Sequence, residues 1–170
     1  PALTETLPPY QTACGITDII AHLYERYLTN TKNVETTDRM IEALILAMVN
    51  EGPKAVKDQN DYESRANIMW GGMMAHNNSC GVGRSQDWLS HNIEHELSAL
   101  YDCAHGAGLA VIMPSWMEFV MEHNVLRFAQ MATRVFNVPM NFEDPKVTAK
   151  AGIKAFHRTQ KFETKEGLYV

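Results

Sequence analysis

Apolar residues recur at helical spacing along almost the whole chain. Ile16, Ile19, Ile20, Leu23 and Tyr27 share one face of a helix predicted to open near Pro9. Asn30 to Asn33 is a polar break. Thr36, Thr37 and Asp38 can cap a second helix, which carries Met40, Ile41, Leu44, Ile45 and Met48. Gly52 and Pro53 are expected to interrupt it, with a short helical piece resuming to Lys57. A third helix is predicted from Asp61 to about Ala75, followed by a loop from Asn77 to Gly83. A fourth spans about Ser85 to Leu100, then a turn from Tyr101 to Gly106. A long apolar helix follows from about Ala107 to Glu122, and two more near Val125–Val135 and Asp144–Phe162. Alternating strand patterns are scarce, and no repeat or linker breaks the chain. The expected class is all-α, one bundle of about seven helices over residues 1–170.

Composition narrows the function classes. Hydrophobic residues at 45% and charged residues at 21% suit a packed domain and argue against disorder. Fifteen basic against twenty acidic side chains give a net charge of −5, with no basic run, so nucleic acid is a poor partner. No apolar run approaches the ~20 residues of a membrane span. No signal peptide pattern opens the chain, and Cys14, Cys80 and Cys103 are odd in number and irregularly spaced. A reducing, cytoplasmic setting is therefore expected. The chain opens on Pro1 rather than Met, so it is expected to be processed or cut from something longer.

Seven histidines change the picture: His22, His76, His91, His95, His105, His123 and His157. Asp18 and His22 lie four residues apart, which puts a carboxylate and an imidazole on one helix face. Such a pair can hold a divalent cation, or merely stabilise its helix. His91 and His95 are also four apart, and His105 lies 14 beyond His91. A helix followed by a tight turn can return His105 to the side of His91. Gly106, at the start of the next helix, permits close backbone approach there. The string His91-x-x-Glu94-His95 also fits an inverted-zincin protease, with both histidines on zinc and Glu94 as general base. A helical interaction module with incidental histidines is the third reading.

Longer strings carry a resemblance. Gly15-Ile16-Thr17-Asp18-Ile19-Ile20-Ala21-His22 resembles the first ligand helix of the iron-containing (group III) alcohol dehydrogenases. Asp87-Trp88-Leu89-Ser90-His91-Asn92-Ile93-Glu94-His95-Glu96-Leu97-Ser98-Ala99-Leu100-Tyr101-Asp102 resembles their second. Cys103-Ala104-His105-Gly106-Ala107-Gly108-Leu109-Ala110, with Met113-Pro114-Ser115-Trp116-Met117, is similar to their His-Gly turn and the helix after it. The wording is nearest to the butanol dehydrogenase branch. The resemblance runs from Pro1 to about Phe156, and Lys161 to Val170 matches nothing in it.

The resemblance implies a dehydroquinate-synthase-like helical domain. It implies that Asp18, His22, His91 and His105 bind Fe²⁺ or Zn²⁺, and that His95 is an active-site histidine off the metal. Glu94 then has no catalytic role and supports a ligand or the helix surface. It further implies an NAD(P)-dependent enzyme interconverting small aliphatic alcohols and aldehydes. NAD(P)H would bind an N-terminal dinucleotide-binding domain that this chain lacks. Neither Gly81-Val82-Gly83 nor Gly106-Ala107-Gly108 continues as G-x-G-x-x-G after a strand. The isolated chain is therefore expected to bind metal with little turnover. An apolar patch is expected beside His95 and Trp88, and with it a homo-oligomer. Trp88, Met113, Trp116 and Met117 either wall a substrate pocket or pack the core.

Overall fold

The computed structural model describes residues 1–165 and 167. Among the described residues there are seven α-helices: α1 (Pro9–Tyr27), α2 (Glu35–Lys57), α3 (Tyr62–His76), α4 (Leu89–Tyr101), α5 (His105–Val120), α6 (Val125–Phe136) and α7 (Pro145–Thr159). Short 3-10 turns sit at Ala2–Thr4, Ser79–Gly81 and Met121–His123. Among the described residues no strand forms, so the all-α expectation holds. Residues 166 and 168–170 of the unmatched tail lie outside the described residues.

α1 is the central column, packed against α2, α3 and α5. Its predicted face is buried: Ile16, Leu23 and Tyr27 have no exposed surface. α4 packs on α5, α5 reaches α7, and α6 and α7 form an antiparallel pair whose α6 also meets α2. One core of Ile, Leu, Met, Phe and Tyr side chains runs through the bundle.

Four expectations are corrected. α2 is not interrupted at Gly52-Pro53 but continues to Lys57. A proline inside a helix costs about 3 kcal/mol, yet Ala55 and Val56 beyond it are fully buried, and their packing holds the last turns in place. Asp38 does not cap α2. It lies inside the helix, 4% exposed, and accepts from Arg84 Nη2 at 2.6 Å, from the Arg127 guanidinium, and from Gln130 Nε2 at 3.1 Å. Two buried arginines from distant segments thus converge on one carboxylate. The fourth helix begins at Leu89, not Ser85, because the entering segment is bonded elsewhere. The Ser85 amide donates to Thr31 Oγ1 (3.0 Å), and the Asp87 amide donates to the Glu25 carbonyl (2.9 Å). The seventh helix stops at Thr159, short of the expected Phe162.

Asp61 caps α3, its side chain accepting the Ser64 amide at 3.0 Å. Asp144 caps α7 on the Lys146 amide at 3.1 Å. The fifth helix opens at His105, two residues earlier than expected, behind Asp102 in the left-handed region (φ 51°).

Candidate metal centre

α1 presents Asp18 and His22 one turn apart, and Glu25 follows three residues on. Across from them stand His91 on α4 and His105 at the first position of α5. A Cβ at Gly106 would overlap the Cys14 backbone carbonyl, so only glycine lets α5 start this close to α1. That contact sets His105 beside Asp18.

The four predicted residues converge. Asp18 Oδ1 lies 3.2 Å from His22 Nδ1, 3.3 Å from His91 Nε2 and 3.4 Å from His105 Nε2. His22 Nδ1 also donates to the Asp18 carbonyl at 2.9 Å, which leaves its Nε2 as the basic nitrogen. Two imidazoles are fixed from behind by buried carboxylates. His91 Nδ1 donates to Glu25, whose Oε1 also accepts the His91 amide at 3.2 Å and the Ser90 hydroxyl. His105 Nδ1 donates to Glu94, which also accepts from Ser98 Oγ. Both Glu25 and Glu94 are completely buried. A proton held on Nδ1 leaves Nε2 with a free lone pair, aimed at Asp18.

This donor set fits a divalent transition ion. One carboxylate oxygen and three neutral imidazoles are borderline ligands suited to iron or zinc. A tetrahedron of ligands at ~2.0–2.1 Å has edges of about 3.3–3.4 Å. The distances from Asp18 Oδ1 to the His91 and His105 nitrogens fall in that range. Protons shared between these groups stand in for an ion. Burial opposes ionisation of Asp18, but hydrogen bonds from His22 and His91 outweigh it and hold the carboxyl well below its usual range. Burial likewise opposes charge on His91, and Asp18 and Glu25 outweigh it, raising the imidazole to about 9. Such mutual proton sharing is expected where ligands face one another.

His95, one turn beyond His91, is exposed. Its ring stacks on His105 with centroids 5.1 Å apart and stands 6.2 Å from His91. Glu94 is not placed as a protease base would be, since its carboxylate is enclosed and committed to His105 and Ser98. A Cβ at Gly108 would strike that carboxylate, so α5 leaves room for it by glycine alone. Trp88 packs edge-on against both His22 and His91 at 5.3 Å, backed by the Arg26 guanidinium. Met113 and Met117 are core residues, at most 1% exposed.

Two contributors were not foreseen. Glu25 was legible in principle, since Asp18, His22 and Glu25 lie on one stripe of α1. His76 arrives from the end of α3, its Nε2 3.3 Å from Asp18 Oδ2 and its ring 4.0 Å from His22. Nothing in its local sequence marks that meeting. An apolar groove of about 440 Å³ is lined by Leu89 and Ile93 on α4 and Val111 and Phe119 on α5, and neither His95 nor Trp88, beside which the sequence placed the apolar patch, is among its lining residues.

Residues 12–166 match the Fe-containing alcohol dehydrogenase family, C-terminal. That match continues past Phe156 into the tail that the sequence left unmatched. NADH-dependent butanol dehydrogenase B from Clostridium acetobutylicum is 41% identical over 139 residues, covering 81% of this chain and 36% of that protein. The fold matches aldehyde reductase YqhD from E. coli with TM-score 0.88 and 33% identity, over 92% of this chain and 41% of that one. It also matches NADH-dependent butanol dehydrogenase A from Thermotoga maritima, with TM-score 0.86 and 36% identity over 92% of this chain and 38% of that one. The chain thus spans about two fifths of the length of these relatives. It belongs to the iron-containing alcohol dehydrogenase family, whose C-terminal part it matches, on the butanol dehydrogenase branch.

Proposed function

We propose that this chain is the metal-holding half of an NAD(P)H-dependent alcohol dehydrogenase acting on small aliphatic alcohols and aldehydes. The observation that carries this reading is the convergence of His91 Nε2 and His105 Nε2 on Asp18 Oδ1 at 3.3–3.4 Å, both rings braced by buried carboxylates, with His22 beside Asp18 on α1. Asp18, His22, His91 and His105 hold the divalent ion, iron or zinc. Bound there, the ion supplies Lewis acidity to the substrate oxygen.

The chain's own residues do the rest. Glu25 and Glu94 keep the His91 and His105 lone pairs aimed inward. Trp88 and Arg26 close one side of the His22–His91 pair against water. His95, exposed beside His105, takes the alcohol proton during oxidation and passes it to solvent, and returns one during aldehyde reduction. The nucleotide that carries the hydride belongs to the part of the relatives that precedes this match, so the 170-residue chain alone turns over little. Its three free cysteines suit a cytoplasmic enzyme, and its open apolar face suits a homo-oligomer.

Thermal melting tests the reading directly. Zn²⁺ at a hundred times its Kd stabilises a one-site protein by about 2.7 kcal/mol. For a domain of this size that is a rise of about 5–10 °C in Tm. The rise is expected for the wild type and absent in Asp18→Ala. A wild-type melt unmoved by Zn²⁺ and by anaerobic Fe²⁺ overturns the assignment.

A further inference from the structure

Between α1 and α3 lies a cavity of about 430 Å³ that the metal centre leaves unused. One end touches Asp18 and His76, and the other touches Thr12 and Arg65. Ile19, Ile68 and Met69 make the walls between them apolar. Gly15 keeps the cavity open on the α1 side, where an added Cβ would meet nothing within 4 Å.

The far end is chemically unsatisfied. Arg65 is 3% exposed. Its Nε donates to the Gln59 carbonyl and its Nη1 to Thr4 Oγ1 at 3.3 Å, while Nη2 has no partner. Among the described residues no carboxylate pairs with this guanidinium. Thr12, 6% exposed, likewise keeps its hydroxyl without a partner. A buried cation with no counter-ion is unfavourable, and the unpartnered Nη2 can donate a charge-assisted hydrogen bond to an anionic group such as a carboxylate. The size and the apolar walls with a few polar groups at one end are those of a small-molecule site.

We propose that this cavity seats the tail of the substrate, and that the tail ends in a carboxylate. The ligand class is an unbranched ω-hydroxy acid or the matching aldehyde acid. Its reacting carbon lies at the Asp18–His76 end, and its carboxylate binds Arg65 and Thr12. Thr12 and Asp18 are six residues apart on α1, about 9 Å along the axis, which suits a chain of roughly six to eight carbons. Which end reacts rests on the metal-centre reading above, whereas the carboxylate seat does not.

Calorimetric titration of the 170-residue chain, stripped with EDTA, separates these points. The probes are 6-hydroxyhexanoate and 1,6-hexanediol, equal in length and differing in the charged end. We expect the hydroxy acid to bind about tenfold more tightly, the scale of one charge-assisted hydrogen bond. Arg65→Gln erases that preference. Gly15→Leu, placed where a new side chain meets no neighbour, blocks both ligands while its helical circular dichroism stays intact, so it decides the matter should Arg65→Gln fail to fold. Equal binding of the two probes, a preference that survives Arg65→Gln, wild-type binding in Gly15→Leu, or no binding at millimolar ligand overturns the proposal. Zn²⁺ titration of the same proteins reads the metal centre separately. A chain that prefers the hydroxy acid yet takes up no metal sinks the metal reading and leaves the carboxylate seat standing.

Discussion

Glu25 and His91 form a buried carboxylate–imidazole pair that joins α1 to α4: one Glu25 oxygen accepts from His91 Nδ1, and the other accepts the His91 amide at 3.2 Å. The pair fixes both the position of the imidazole and its tautomer. Glu25→Gln keeps the size but loses the charge. It is expected to weaken Zn²⁺ binding about 10–100-fold, the usual cost of removing a carboxylate behind a ligand histidine. Competition against a chelating dye measures this. Unchanged affinity would show that the pair serves only to dock α4.

His91 and His95 share a helix face but not an environment: His91 is 5% exposed and aimed at Asp18, whereas His95 is exposed and stacked on His105. His91→Ala should abolish metal binding. His95→Ala should leave it nearly intact, and in an enzyme that includes the nucleotide-binding part it should lower turnover by about 10²-fold. Isothermal titration with Zn²⁺ compares the two, and equal losses of affinity would favour a protease-like ligand set.

Asp38 contributes to the acid sensitivity of the fold. Burial opposes its charge, but hydrogen bonds from Arg127 and Arg84 outweigh that and hold the carboxyl below its ordinary range. The folded pKa is thus the lower one. Its stabilisation is complete above the unfolded value of about 3.9 and is lost as pH falls through the folded value. Asp38→Ala strands two buried guanidinium groups and should cost about 3–5 kcal/mol at neutral pH. Urea melts at pH 7 and pH 3 should show the variant losing less on acidification than the wild type.

The groove between α4 and α5 exposes Val111 at 72% and Phe119 at 75%, with Ile93 at 44%. Contiguous apolar surface of this kind drives association. Sedimentation velocity of the 170-residue chain should show a concentration-dependent shift to larger species, weakened in Phe119→Ser. A strictly monomeric wild type at high concentration would mean that the groove is covered by neither a copy nor a neighbouring domain.

Helix content was readable from the chain because it depends on local periodicity, and spacing offered Asp18, His22, His91, His95 and His105 as candidates, whereas the choice of four among them came from the family resemblance. The four-residue spacing of Asp18 and His22 fixes a shared face once α1 is helical, and Ile16, Leu23 and Tyr27 make it helical by burying the same stripe. The turn between α4 and α5 is short enough that the 14 residues from His91 to His105 bring both to one place.

Tertiary structure decided the partners that act through space. His91 and Glu25 are 66 residues apart, His76 and Asp18 58, and Asp38 and Arg127 89, and no periodic signal links such positions. A buried carboxylate declares itself only when its counter-charge arrives. Asp38 therefore read as a cap, and Glu25 was not singled out. The same holds for backbone boundaries. Pro53 would break an isolated helix, and Ser85 could begin one, but burial of Ala55 and Val56 carries α2 onward while the loop and α1 claim the amides of Ser85 and Asp87. Local sequence sets which helices can form; the packing between them decides where each ends and what its buried charges face.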